Sequence, residues 1–206
     1  MGRITKIVSQ KGYKNGCIVY LDDGTSFSLH IELLVKYGLT EGSEVDVQQV
    51  RKWFEEDGVK YAYNAALRYL GFRSRSRKEI EDYLKRKGFE DNTIRVVMEK
   101  LERYGLADDK AFARDWVRNR MHTGARSRVA IAYELRRKGI DGEIIDEAVG
   151  SITDEEEEKQ ALKIANKYYE RYKGLEDEEI AVKIGQALAR RGFGWDIIQR
   201  VIRRMM

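Results

Sequence analysis

The chain has 206 residues, of which 39 are lysine or arginine, 35 are acidic, one is cysteine and none is proline. This length suits one or two domains, and the single cysteine excludes an internal disulfide and a cysteine-rich metal site. No apolar run approaches the roughly 18 residues of a membrane-spanning helix, and no basic-then-apolar leader opens the chain. We therefore expect a folded, soluble and unsecreted protein without a membrane span.

The net charge of +4 is unevenly distributed. Residues 1–59 carry 7 cations and 9 acidic groups, residues 60–152 carry 21 and 15, and residues 153–206 carry 11 of each. Residues 110–138, which we call the basic segment, hold nine cations against two acidic residues, a net charge of +7. Such a segment in an otherwise balanced chain suggests an anionic partner, although charged helices are often only solvated faces.

The first 50 residues have the pattern of a small β-rich module. Residues 4–8 contain a short apolar run, and residues 16–21 are apolar and β-branched. Asp22-Asp23-Gly24 is a hairpin turn signal, and residues 25–29 return as the partner strand.

Residues 31–37 are predicted to form a short helix that ends at Gly38, and the valines at 45, 47 and 50 continue in extended form. A module of this size is marginal alone, so its simplest role is packing or positioning.

A seven-residue stretch recurs in the rest of the chain, at residues 83–89, 134–140 and 187–193. Each copy places cations in a last helical turn, where they face the negative end of the helix dipole. A glycine then stops the helix, an apolar residue packs back on it, and an apolar ladder with helical spacing follows. The three glycines are Gly88, Gly139 and Gly192. The unit is therefore a helix, a glycine stop and a second helix, made three times.

Further helix signals predict that each unit contains three helices. Ser76 with Glu79 and Thr153 with Glu156 are capping boxes, and Gly124 separates two basic helices. The predicted helices cover residues 60–71, 76–88, 91–105, 110–122, 125–138, 142–150, 154–172, 176–191 and 195–205.

The predicted fold is mostly α, with three tandem three-helix repeats of helix-turn-helix-like units after the β-rich module. Because each repeat is too small to bury much surface alone, neighbouring repeats are expected to stack. The predicted domains are residues 1–55 for the module and residues 56–107, 108–152 and 153–206 for the repeats.

Several stretches resemble a known family in order and spacing. Residues 76–80 (SRKEI), followed by residues 83–89 (YLKRKGF), resemble the first repeat of the RecX regulatory proteins, and residues 105–113 (GLADDKAFA) resemble the start of the second. The resemblance covers roughly residues 60–206, and the β-rich module looks like the extension found in some members.

The resemblance implies a cytoplasmic bacterial modulator of the RecA recombinase that has no catalytic centre and no cofactor. Such proteins dock on the RecA filament on single-stranded DNA and usually suppress its recombination, ATPase and coprotease activities. Whether inhibition works by capping the filament end or by lying in its groove stays open, as does the role of the β-rich module. We expect a monomer.

Basic side chains are the candidate contacts with the partner or with DNA. Guanidinium groups pair with phosphates and carboxylates alike, so binding should weaken with salt while charge alone does not distinguish the two partners. The candidates are Arg73, Arg75, Arg77 and Lys78 in a basic loop, Arg114, Arg118 and Arg120 on one helix, and Arg126, Arg128, Arg136, Arg137 and Lys138 on the next. Val129, Ile131, Ala132 and Leu135 are predicted to form the buried side of that second helix.

Enzymatic chemistry finds little support in the sequence. Adjacent Asp108 and Asp109 suit a helix cap, and neither His30 nor His122 has a cysteine or histidine at metal-ligand spacing. The tryptophans at 53, 116 and 195 are predicted to belong to the core rather than to stack on bases, and Trp116 is the first candidate for an exception because basic residues surround it. The alternative that stays open is a protein that binds DNA directly through its helix-turn-helix-like units.

Overall fold

The computed structural model describes residues 1–11 and 15–206, apart from the side chains of residues 51, 54 and 55. The chain divides into two compact units, residues 1–108 and residues 109–206. Most of the described residues are helical, and the described strands all lie in the first 45 residues.

The first unit opens with an antiparallel sheet. Its elements are β1 (Gly2–Ser9), β2 (Gly16–Leu21), β3 (Ser26–His30), α1 (Ile31–Tyr37) and β4 (Glu44–Val45). Strand order in the sheet is β3-β2-β1-β4, and helix α1 ends at Gly38, as predicted. The predicted hairpin is confirmed, because β2 pairs with β3 across a turn in which Gly24 has φ 81°.

Helix α2 (Val47–Leu70) begins earlier than predicted. Val45 lies in β4, but Val47 and Val50 are helical, so their predicted extended form is wrong. The carboxylate of Asp46 accepts hydrogen bonds from the backbone N–H groups of Gln48 and Gln49 and caps the helix. Valines three residues apart fit one face of a helix as well as an extended strand. The Asp46 cap decides in favour of the helix.

Helices α2, α3 (Arg77–Lys87) and α4 (Asp91–Arg103) form bundle 1. The predicted capping box of Ser76 and Glu79 opens α3, and Gly88 ends it with φ 91°. Residues from all three helices share one buried cluster, which includes Ala66, Leu84 and Leu101. The predicted first unit of helix, glycine stop and helix is therefore present.

The sheet module packs on bundle 1 within this unit. The ring of His30 stacks on Phe89 with centroids 4.8 Å apart, and Tyr37 stacks on Trp53 at 4.5 Å. A Cβ atom built on Gly88 would lie 2.6 Å from Cα of Gly16, so the β2 backbone approaches closer than any side chain permits. Gly88 is thus required both by its backbone angle and by this contact.

The second unit contains six described helices in two bundles. Bundle 2 consists of α5 (Asp109–Thr123), α6 (Arg128–Arg137) and α7 (Gly142–Gly150). Bundle 3 consists of α8 (Asp154–Tyr172), α9 (Asp177–Ala189) and α10 (Trp195–Met205). Each has its own buried cluster, and the predicted capping box of Thr153 and Glu156 opens α8.

Helix α6 differs from the sequence prediction at its start and on one face. It begins at Arg128 rather than at residue 125, because the Ser127 hydroxyl caps it by accepting the backbone N–H of Ala130. Ile131 and Leu135 are fully buried, as expected, whereas Val129 is 64% exposed. The predicted buried position of Val129 is therefore wrong, since the shorter helix places it on the first turn.

Bundles 2 and 3 contact each other through polar groups of the second unit. The Ser127 hydroxyl donates to the backbone oxygen of Arg191 at 2.6 Å, and Nε2 of Gln160 donates to the backbone oxygen of Met121 at 3.0 Å. These bonds satisfy backbone acceptors at helix ends, where intrahelical partners are missing.

Candidate binding surface

The cation that precedes each repeat glycine lies against an aromatic ring in all three bundles. The pairs are Lys87 with Tyr83 at 5.7 Å from the ring centroid, Lys138 with Trp116 at 4.3 Å and Arg191 with Tyr168 at 5.7 Å. Cation–π contacts of this kind stabilise the fold. Lys138, a candidate site residue, therefore has a structural role inside bundle 2.

The carboxylate of Glu134 contacts three side-chain N–H groups between α5 and α6. Its Oε2 accepts hydrogen bonds from Nε1 of Trp116 at 2.9 Å and from Nε of Arg120 at 2.5 Å. Its Oε1 lies 3.4 Å from Nε of Arg126. The Glu134 side chain is only 23% exposed, so it is a partly desolvated carboxylate that pairs with two of the candidate cations.

The N–H groups of Arg128 form hydrogen bonds across the contact between bundles 2 and 3. Its Nε donates to the backbone oxygen of Ile152 at 3.1 Å, and its Nη2 donates to Asp154 at 2.9 Å. Its backbone N–H donates to Glu157, which is buried, at 2.9 Å. The structure therefore places this candidate residue in a bundle contact, with acceptors already on its guanidinium.

Three arginines of the basic segment remain without such partners. Arg114 on α5 and Arg136 and Arg137 on α6 are exposed, and none forms an ion pair with any residue that the structure describes. Arg118 is also exposed, and it pairs with Asp115 at 3.4 Å in a contact worth little in water. These four guanidinium groups are the basic segment's most available contacts for an anion.

Tyr133 adds an aromatic group to the outer face of α6. It is 60% exposed and lies three and four residues before Arg136 and Arg137, on the same helix face. Sequence reasoning missed it because an aromatic residue in an amphipathic helix usually belongs to the core. The available signal was its spacing, since Val129 and Tyr133 are four residues apart and form one exposed stripe.

The basic loop of residues 73–78 belongs to the first unit, and its arginines have partners there. Arg73 pairs with Glu79 at 2.9 Å and Arg77 with Glu102 at 2.7 Å. The Arg75 guanidinium lies 4.0 Å from the Tyr69 ring centroid. Lys78 is exposed, without a described ion-pair partner. The candidate cations are thus divided between the two units.

The tryptophans do not all belong to the core. Trp53 and Trp116 are partly buried against hydrophobic clusters, as predicted. Trp195 is 70% exposed, and its predicted core position is wrong. It opens α10 directly after the N-cap Gly194, and side chains on a first helical turn have few neighbours to cover them.

Within residues 1–11 and 15–206, no three His, Cys, Asp or Glu side chains are arranged to hold a metal ion. Burial lowers the pKa of His30, whose Nδ1 accepts the backbone N–H of Glu32 at 3.3 Å. No helix in the described part of the chain is long and apolar enough to cross a membrane.

Family models match along the chain. The regulatory protein RecX N-terminal domain matches residues 2–46, and the first, second and third RecX three-helix domains match residues 62–101, 108–149 and 155–202. These matches correspond to the sheet module and to bundles 1, 2 and 3.

Relatives and solved structures point to the same family as these models. Regulatory protein RecX of Bacillus licheniformis is 35% identical over 98% of this chain and 77% of its own length. Its counterpart in Clostridium perfringens is 32% identical over 100% of this chain and 97% of its own. A crystal structure of regulatory protein RecX covers 98% of both chains at 29% identity with TM-score 0.69. RecX from Lactobacillus salivarius, also at TM-score 0.69, is 34% identical over 72% of this chain and 97% of its own.

Fold and surface together define a tandem helical-repeat protein of three three-helix domains behind a small sheet module. The relatives narrow this class to one family. The chain belongs to the RecX family of regulatory proteins, which confirms the resemblance seen in the sequence.

Proposed function

We propose that this chain is a non-enzymatic regulator that binds the filament of the RecA recombinase on single-stranded DNA. By binding, it lowers the recombination, ATPase and coprotease activities of the filament, in the cytoplasm. Three unpaired arginines of the basic segment carry the proposal beyond family membership, namely Arg114, Arg136 and Arg137. A chain with a net charge of +4 that leaves these groups free has a surface suited to a polyanion.

The candidate residues contribute to this function in two ways. Arg114, Arg118, Arg136 and Arg137 would contact the filament directly. Arg120, Arg126 and Arg128 would act by holding α5, α6 and bundle 3 in place through Glu134 and Asp154. Charge reversal in the first group should therefore weaken binding without unfolding the chain, whereas reversal in the second should reduce stability as well.

Direct DNA binding is the second candidate function, and Tyr133 favours it. An exposed aromatic ring beside free arginines resembles the stacking surfaces of proteins that bind single strands. Free phosphodiester chains would then compete with the filament for the same face of α6.

A pull-down separates these functions. The tagged full chain is incubated with RecA alone, with single-stranded DNA alone and with both in the presence of ATP. Our proposal requires much stronger retention of RecA when DNA is present, together with a lower ATPase rate of the filament. Retention of DNA alone at the same protein concentration would favour the second candidate, and retention of neither component would exclude both.

A further inference from the structure

The sheet module has an edge without a neighbouring strand, which neither family membership nor the proposed function explains. Strand β3 lies at the edge of the four described strands and pairs only with β2. Leu21 N–H donates to the oxygen of Thr25, which sets the alternation of the ladder. The backbone groups of Ser26 and Ser28 therefore point away from β2, where an added strand would lie.

A groove of 720 Å³ runs beside this edge within the first unit. One wall is β3, and the others are the middle of α2 and the start of α4. Val59 and Val96 give it an apolar floor, since both line it and are only partly buried. A groove with backbone hydrogen-bonding groups on one side and apolar side chains beneath suits an extended peptide, whose residues alternate in direction.

Gly58 keeps the groove wide. It lies in the interior of α2, where glycine costs about 1 kcal/mol relative to alanine. A Cβ atom there would meet only Thr93 at 3.7 Å, an ordinary contact, so helix packing does not require glycine. Its missing side chain instead leaves space in the groove that it lines.

Glu90 gives the groove a charge preference. It lines the groove, and no lysine or arginine among the described residues forms an ion pair with it. Burial raises the pKa of its carboxyl group, and the backbone N–H of Ser28 partly offsets this by hydrogen bonding. An added strand would therefore displace the Glu90 carboxylate from Ser28 and supply a backbone carbonyl in its place, and a cation of that strand would pair with the released carboxylate.

We propose that the groove between β3, α2 and α4 binds an extended peptide of a partner protein by strand addition to β3. The peptide has apolar side chains at alternate positions over Val59 and Val96, and it presents a lysine or arginine to Glu90. This surface is separate from the basic segment, so the proposal stands or fails independently of filament binding.

The test selects ligands for the full chain from a displayed library of random seven-residue peptides. Counter-selection uses Gly58→Leu, which fills the groove, and binding of the selected synthetic peptides is measured by fluorescence anisotropy. We expect an alternating apolar pattern with one basic residue, and at least tenfold weaker binding to Gly58→Leu. Methylating alternate backbone nitrogens of the peptide should also cost at least tenfold, because it removes the strand hydrogen bonds.

Two further variants keep the test independent of folding. Gly58→Ala should melt above the parent, because it improves helix propensity, and should weaken peptide binding less than Gly58→Leu. Glu90→Gln should weaken binding of the basic peptide three- to fivefold and leave that of its neutral analogue unchanged. The proposal is wrong if no peptide is enriched, if Gly58→Leu and Glu90→Gln bind as the parent does, or if the bound peptide is helical. Self-association of the chain that Gly58→Leu abolishes would instead identify a second copy as the occupant.

Discussion

Nε1 of Trp116 donates a hydrogen bond to Oε2 of Glu134 at 2.9 Å, and this bond links α5 to α6. The same carboxylate accepts from Arg120, so its loss would leave two partly buried donors without their acceptor. Glu134→Ala should therefore lower the free energy of unfolding by about 1–3 kcal/mol. Urea titration followed by circular dichroism measures this change.

Glu147→Ala is the matched control. Glu147 also pairs across bundle 2, with Lys110 at 3.1 Å, but both side chains are more than half exposed. Exposed pairs contribute about 0–1 kcal/mol. Equal destabilisation by the two substitutions would mean that Glu134 is an ordinary surface residue.

The Ser127 hydroxyl makes two bonds, one to the backbone N–H of Ala130 as a helix cap and one to the backbone oxygen of Arg191. Ser127→Ala should cost more than the roughly 1 kcal/mol of a cap alone, because it also breaks a contact between bundles 2 and 3. Thr153→Ala, at the cap of α8, is the comparison, because the described bonds of its hydroxyl all lie within its own capping box. The contact between the bundles would be unimportant if thermal melts show that Ser127→Ala costs no more than Thr153→Ala.

Glycines with positive φ should differ in their tolerance of a side chain. Gly105 has φ 65° and nothing within 4 Å of an added Cβ, so Gly105→Ala should cost about 1–2 kcal/mol from the left-handed backbone alone. Gly88→Ala should cost more, since its Cβ would also lie 2.6 Å from Cα of Gly16. Gly142→Ala, at a helical position with open space, serves as control and should not destabilise. Equal melting temperatures for Gly105→Ala and Gly142→Ala would contradict this order.

Asp154 makes stability depend on pH. Hydrogen bonds from Arg128 and Arg200 hold the pKa of this carboxyl group below its ordinary value. Because the folded pKa is the lower one, the stabilisation is present above about pH 4, the pKa of an unfolded aspartate, and is lost as pH falls through the folded pKa. Asp154→Asn should lower the melting temperature at pH 7, and the difference from the parent should shrink on acidification.

Asp146→Asn, at an exposed position of α7 without a described ion-pair partner, is the control for that measurement. Its melting temperature should follow the parent across the same pH range. A difference between Asp154→Asn and the parent that stays constant from pH 7 to pH 3 would show that the ion pairs with Arg128 and Arg200 contribute nothing.

The repeat pattern predicted the helices because its signals are local. A last turn of cations, a glycine and an apolar ladder each depend on residues within one or two helical turns, and the glycines at 88, 139 and 192 all have positive φ. Val47 and Val50 were misassigned because two valines fit a strand or a helix, and only the Asp46 cap distinguishes them.

The candidate surface was less predictable, since it depends on contacts between distant residues. Nothing in the sequence around Arg128 indicates that Asp154 and Glu157 of the next repeat will occupy it. Charge density identified the basic segment, but only the fold separates its paired cations from Arg114, Arg136 and Arg137. The domain boundaries and the filament contacts stay predictions.

Titration of a labelled RecA filament with the full chain tests the central claim most directly. We compare the parent with Arg136→Glu combined with Arg137→Glu, and with Arg86→Glu combined with Arg103→Glu. The control positions are also exposed, and Arg86 precedes Gly88 by two residues, as Arg137 precedes Gly139. Circular dichroism should give equal helical content for all three proteins.

We expect the α6 variant to bind the filament at least tenfold more weakly, about 1.4 kcal/mol, and the control to bind within threefold of the parent. Both salt concentrations, one low and one moderate, are chosen so that the filament stays assembled. Binding of the parent should weaken from the lower to the higher concentration, and binding of the α6 variant should depend less on salt. Equal affinities of parent and α6 variant at both salt concentrations would contradict the claim that the outer face of α6 contacts the filament.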